Sequence, residues 1–134
     1  MQDQFEVFSL TISKNKDKAI HVKTISKNGK MVSARNGLKV QPDYSFANHP
    51  SLDIVIIPGG NGAEEIEIHN KQTIKWIRKQ NKNASFMTSV CTGALLLAEA
   101  DLLNVKKATT HWMDIPRPRY LSFGMLNLLM RVDF

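Results

Sequence analysis

Ala84-Ser85-Phe86-Met87-Thr88-Ser89-Val90-Cys91-Thr92-Gly93-Ala94-Leu95-Leu96-Leu97 carries an apolar run into a small-residue turn and out into a second apolar run. The order reads as strand, cysteine, helix. Cys91 is the single cysteine of the chain. At such a junction a thiol faces the unpaired N–H groups and the positive dipole end of the helix, both of which favour a thiolate. A lone cysteine also reads as a small buried hydrophobe, because free cysteine is among the most buried residue types.

Upstream, Asp53-Ile54-Val55-Ile56-Ile57 shows no polar alternation, which predicts a parallel strand covered on both faces. The glycine loop Pro58-Gly59-Gly60-Asn61-Gly62 follows, and residues 63–80 carry helical spacing at Ile66, Ile74 and Ile77. The chain thus lays out strand, loop, helix, strand, cysteine and helix in order, the pattern of a parallel α/β sheet. The Gly59-Gly60 loop and the Cys91 turn then fall at the carboxyl ends of two parallel strands, where open α/β sheets bind ligands. Glycines let backbone approach a substrate, and N–H groups there hold a developing oxyanion. The same glycines also read as an ordinary tight turn. No lysine-serine pair follows Gly62 and no Gly-x-Gly-x-x-Gly spacing is present.

Nearer the amino terminus, the apolar residues Phe5, Val7, Phe8 and Leu10 make a segment too short to separate helix from strand. Residues 19–25 alternate and predict a strand. The Asn28-Gly29 turn signal then leads into a second short strand at residues 31–34, a hairpin pattern. An extended segment from Leu38 to Phe46 ends at Asn48-His49-Pro50. After Cys91, residues 93–100 supply an Ala- and Leu-rich helix. Lys107-Ala108-Thr109-Thr110 predicts one more strand, ending at His111-Trp112.

With 134 residues, 43% hydrophobic and 22% charged, the chain suits one soluble domain with its own core. One cysteine forms no internal disulfide, and the polar start Met1-Gln2-Asp3-Gln4-Phe5-Glu6 is unlike a secretory segment, so a cytoplasmic protein with no membrane association is expected. The net charge of +6 is spread over lysines flanking the hairpin and over Lys71, Lys75, Arg78, Lys79 and Lys82. Aromatic interleaving is absent, so a solvated basic surface is expected and no direct nucleic acid binding. His49 and His69 lack the neighbours that zinc spacing demands, and neither a metal nor a cofactor is expected. Glu64, Glu65 and Glu67 fall near a helix start, where the dipole favours acids.

Taken in order, Asp53-Ile54-Val55-Ile56-Ile57-Pro58-Gly59-Gly60, Ser89-Val90-Cys91-Thr92-Gly93-Ala94 and Ala108-Thr109-Thr110-His111-Trp112 resemble the ThiJ/PfpI family of the class I glutamine amidotransferase-like superfamily. Thr92 after the cysteine is similar to the isocyanide hydratase-like branch and to the sensor domains of AraC-type regulators. The peptidase branch usually places histidine there. The resemblance implies a flavodoxin-like three-layer sandwich with a mostly parallel sheet, and a nucleophile elbow at Cys91. It further implies an oxyanion site from the N–H groups of Gly60 and Thr92 beside Gly59, with His111 near the thiol to relay a proton. His111 also reads as a strand-end histidine beside Trp112.

The resemblance implies a cysteine-dependent hydrolase or hydratase acting on a small electrophilic substrate, such as a carbonyl adduct or an isocyanide, in a homodimer. The second reading is an inactive fragment or a ligand-sensing domain related to AraC-type regulators, without a DNA-binding half. Asp3 and Gln4 stand where the family has a Gly-Pro pair, so Asp3 is not the family acid, and an incomplete sheet is expected. Residues 1–115 are read as a partial ThiJ/PfpI domain and 116–134 as a divergent apolar tail, as if the chain were truncated or shifted in frame at both ends. The tail opens on Pro116-Arg117-Pro118 and carries Leu121, Phe123, Leu128, Leu129 and Phe134.

Overall fold

The segment that periodicity left open between helix and strand is a helix, α1, at Gln2–Ser9. It ends on local hydroxyls: Ser9 Oγ donates to Glu6 O at 3.2 Å and Thr11 Oγ1 to Val7 O at 2.9 Å. The Thr11 hydroxyl serves a carbonyl of the last turn, while Glu6 O also accepts the Leu10 N–H at 3.0 Å. The structure, a computed structural model, describes residues 2–13, 17, 19–34, 37–106 and 108–110. It separates into two units, Met1–His49 and Pro50–Phe134.

In the first unit, β1 (Ile25–Ser26) and β4 (Tyr44–Ser45) pair in parallel, while β2 (Val32–Ser33) and β3 (Lys39–Val40) pair antiparallel. The first pairing is fixed at its edge by Thr24 and Asp43. Asp43 Oδ2 accepts the Thr24 N–H at 2.7 Å and the Thr24 hydroxyl at 2.9 Å, and the Asp43 N–H donates to Thr24 O at 2.9 Å. The Thr24 N–H bond holds the Asp43 carboxyl below its ordinary range against the opposing effect of burial, with the Thr24 hydroxyl and the Lys23 charge adding to it.

Two expectations change here. Of residues 19–25 only Ile25 enters a ladder, and the Asn28-Gly29 turn does not close a hairpin. Asn28 Oδ1 instead accepts the Lys30 N–H at 3.0 Å, with Gly29 at φ +71°. The antiparallel pair closes one turn later, where Ala34 N–H donates to Leu38 O at 2.7 Å.

The second unit is built on β5 (Ile54–Ile57) and β6 (Phe86–Ser89), parallel and in register from Ile54↔Phe86 to Ile57↔Ser89. Between them run α2 (Asn61–Glu65), a 3₁₀ turn (Glu67–His69) and α3 (Lys71–Asn81), and α4 (Gly93–Glu99) follows the cysteine. The helix expected across residues 63–80 is therefore broken. Asn70 starts α3 afresh, its Oδ1 accepting from Gln72 N and Thr73 N at 3.1 and 3.4 Å, the bonds an N-cap makes. Glu67 steadies this end by accepting from Asn70 Nδ2 and Thr73 Oγ1. Ile66 falls outside both helices and is exposed, and Ile68 takes the buried place.

Val55 and Ile57 of β5, Ile74 and Ile77 of α3, and Leu96, Leu97 and Ala100 at α4 form the core. Every residue from Gly93 to Ala98 is buried, as expected of a helix apolar all round. The sheet is covered on one face only among the described residues. Val55 and Ile57 are buried, but Ile54 is 45% and Phe86 63% exposed on the opposite face, so the two-sided burial expected of Asp53–Ile57 does not hold. Residues 108–110 join no ladder, and His111, Trp112 and the 116–134 tail lie outside the described residues. Among the described residues no helix is long and apolar enough to cross a membrane.

Candidate active site

The β5–β6 ladder runs to its last rung at Val90, whose N–H donates to Ile57 O at 3.0 Å. The chain then turns within one residue. Cys91 takes φ +53°, the left-handed region that an L side chain enters at a cost of about 1–2 kcal/mol. Thr92 returns to φ −66° as the residue before α4. The turn is closed by Gly93 N–H to Val90 O at 3.0 Å and Ala94 N–H to Cys91 O at 3.2 Å. This strand-to-helix turn, with a strained residue at its apex, has the geometry of a nucleophile elbow. Cys91 is a free, exposed thiol, not the core hydrophobe that a lone cysteine can be.

Two glycines make the turn possible. A Cβ on Gly93 would stand 2.3 Å from Ile57 O and 3.0 Å from Pro58 O. The start of α4 therefore lies directly on the end of β5. A Cβ on Gly59 would meet Thr92 N at 2.7 Å, Val90 O at 2.8 Å and the Cys91 Cβ at 2.9 Å. The sequence pointed to Gly59 for close approach, and the group that approaches it is the elbow itself.

Gly60, Gly59 and Thr92 thus sit together with Cys91. The Gly60 N–H donates to Thr92 Oγ1 at 2.8 Å, and the Thr92 hydroxyl leans 3.4 Å from Gly60 O. Thr92 is 3% exposed, so the acceptor end of this part-buried bond is inside the fold. One of the two expected oxyanion donors is therefore engaged by a side chain. The Thr92 N–H has no acceptor among the described residues.

A residue that sequence reasoning assigned no role also reaches the elbow. Thr110 Oγ1 donates to Cys91 O at 3.1 Å, which ties the segment 108–110 to the turn. His111 follows in the sequence and lies outside the described residues. His69 is exposed on the 3₁₀ turn and His49 belongs to the other unit. Among the described residues no three His, Cys, Asp or Glu side chains are grouped to hold a metal ion. A groove of about 500 Å³ lies apart from the elbow, lined by Ile68, His69, Lys71, Ile74, Arg78 and Glu99.

A parallel β-α-β unit with a cysteine at its strand-to-helix turn and a glycine loop packed against it defines an α/β protein with its candidate site at the carboxyl ends of the strands. Comparison with known proteins makes this specific. Residues 3–117 match the DJ-1/PfpI family, and the chain belongs to that family, whose fold is flavodoxin-like. It is 43% identical over 81 residues to isonitrile hydratase of Pseudomonas putida, covering 60% of this chain and 35% of that protein. It is 33% identical over 89 residues to the HTH-type transcriptional regulator GbdR of Pseudomonas aeruginosa, covering 66% and 24% of the two chains. Among solved structures, a THiJ/PfpI family protein from Pseudomonas syringae superposes with a TM-score of 0.69 at 29% identity, over 78% of this chain and 43% of the other. The chain therefore spans about a third or less of the two curated relatives.

Proposed function

We propose that the protein is a cysteine-dependent hydratase or hydrolase of small electrophilic molecules, with Cys91 as nucleophile. The observation that carries this reading is the exposed Cys91 thiol held at φ +53° on the elbow against the glycine loop. Likeness to an isonitrile hydratase supplies the substrate class, an isocyanide, with carbonyl adducts as the wider set.

For an isocyanide, the Cys91 sulfur bonds to the terminal carbon and the thiol proton ends on that carbon, giving a thioimidate. Water then adds to the same carbon, the C–S bond breaks, and the N-formamide leaves with the thiol restored. The N–H groups of Thr92 and Gly60 serve the oxygen charge that develops in the second step, once substrate replaces the Thr92 hydroxyl on Gly60. Gly59 leaves room at the elbow, and His111 relays the proton, as the residue after the Thr110 that bonds to Cys91 O. No metal or cofactor takes part. Residues 1–115 form the family part and 116–134 a divergent tail, in a cytoplasmic homodimer that has no membrane association and does not bind nucleic acid directly.

Mass spectrometry of protein mixed with an aryl isocyanide and quenched early tests the covalent step. The expected result is a mass increase equal to the isocyanide on the peptide holding Cys91, and an unmodified chain during turnover would count against it. A second reading is a ligand-sensing domain related to AraC-type regulators, favoured by the likeness to GbdR and by the occupied Gly60 donor. It predicts saturable small-molecule binding with no turnover, unchanged in Cys91→Ser.

A further inference from the structure

The cations that look dispersed in the sequence gather along α3 and its C-cap residue, Lys82. Lys71, Lys75, Arg78, Lys79 and Lys82 are all exposed, and at helical spacing they fall within about 100° of the circumference along about 16 Å of axis. Thr73, Ile74, Ile77 and Gln80 are the buried residues of the same helix. Like charges therefore face each other at 71/75, 75/79 and 78/82 four residues apart, and at 75/78 and 79/82 three apart. Each such pair opposes the helix by about 0.2–0.5 kcal/mol. The first turn of α3 holds no acid and begins on Lys71, the charge its dipole disfavours. Only Arg78 has an ion-pair partner among the described residues, Asp101 at 2.6 Å.

Beside this stripe lies the groove of about 500 Å³, which shares Lys71 and Arg78 with it. Ile68 and Ile74 are buried behind it, and His69, Lys71, Arg78 and Glu99 supply the rest of its lining, Glu99 being its one acid. A cationic rail beside a groove that shares two of its cations suits a ligand that is anionic along its length. We infer that the α3 face and this groove form a docking surface for an acidic peptide segment. About five extended residues match the rail. A nucleic acid fits less well. Four of the five cations are lysines, the arginine is already engaged by Asp101, Glu99 O and Ala100 O, and no exposed aromatic lies in the stripe to stack on bases. This surface lies apart from Cys91 and does not rest on the chemistry proposed there.

Fluorescence anisotropy of the full chain with a labelled oligoglutamate peptide tests the inference. At low salt the peptide binds, and binding falls steeply as salt rises. Lys75→Glu/Lys79→Glu weakens it by at least about tenfold, while Lys106→Glu, an exposed lysine off the stripe, leaves it unchanged. Circular dichroism checks that the double variant folds, and Lys75→Gln/Lys79→Gln replaces it if it does not. Absence of binding at low salt, equal binding by the double variant, or oligothymidine of the same charge binding at least as tightly would each overturn the inference.

Discussion

The Thr92 hydroxyl accepts the Gly60 N–H at 2.8 Å, joining residues 32 apart in sequence across the elbow and the glycine loop. One side chain thus fixes the distance between the two backbone segments that flank the Cys91 thiol. Thr92→Val keeps the shape and removes the acceptor, leaving the part-buried Gly60 N–H unpaired. We expect a stability loss of about 1–3 kcal/mol in urea unfolding, largely restored in Thr92→Ser. A valine variant as stable as the parent would show that the bond does not hold the loop.

The glycines predict opposite signs. Gly93→Ala gains about 1 kcal/mol of helix propensity but drives a Cβ to 2.3 Å from Ile57 O, a clash of the new methyl with backbone that has no flexible atom to yield. Steric conflict wins, and the variant is expected to lose more than about 3 kcal/mol or to fail to fold. Gly62→Ala, in α2 with nothing within 4 Å of its would-be Cβ, is expected to raise stability by about 0.5–1 kcal/mol. Thermal melts of the pair check both signs.

The end of α4 is held by Arg78 and Asp101. Arg78 Nε donates to Ala100 O and its Nη2 to Glu99 O, both at 3.1 Å, while Leu102 N–H returns to Leu97 O at 3.0 Å around Asp101 at φ +62°. Arg78→Ala strips donors from two carbonyls and is expected to destabilise by about 1–2 kcal/mol. Asp101→Gly removes an exposed ion pair worth at most about 1 kcal/mol and relieves a left-handed residue by a similar amount. Its melting temperature should stay close to the parent's.

In the first unit the Asp43 carboxyl is held below its ordinary value of 3.8 by the Thr24 N–H, and then by the Thr24 hydroxyl and Lys23. A carboxyl with a depressed folded pKa stabilises the fold fully above its unfolded pKa and loses that contribution as pH falls through the folded value. Asp43→Asn is therefore less stable than the parent near neutrality, and the gap closes below about pH 3.8. Amide exchange at Thr24 across acid pH reads this. A gap independent of pH would remove the ionised carboxylate from the account.

The elbow was legible because its signal is local: an apolar run, Cys91, Gly93 and the Ala-Leu helix are contiguous, and each residue type suits its place. The break at Asn70 was also written in the sequence, as an N-cap residue before Lys71, but the isoleucine spacing across it suggested one helix. Burial of β5 was not legible. A run of four apolar residues says nothing about whether a second layer covers Ile54 and Phe86. The Gly60–Thr92 bond and the Thr110 contact are tertiary, set by strand register. The basic stripe required the true start of α3 before its cations could be placed on one face. His111 was singled out by resemblance and lies outside the described residues.

Hydration of an aryl isocyanide, followed as formamide released by the parent chain beside Cys91→Ser, is the most direct test of the nucleophile. Turnover by the parent and a loss of at least about a thousandfold in the serine variant are expected. Equal rates in the two chains, or no turnover by the parent, would contradict it.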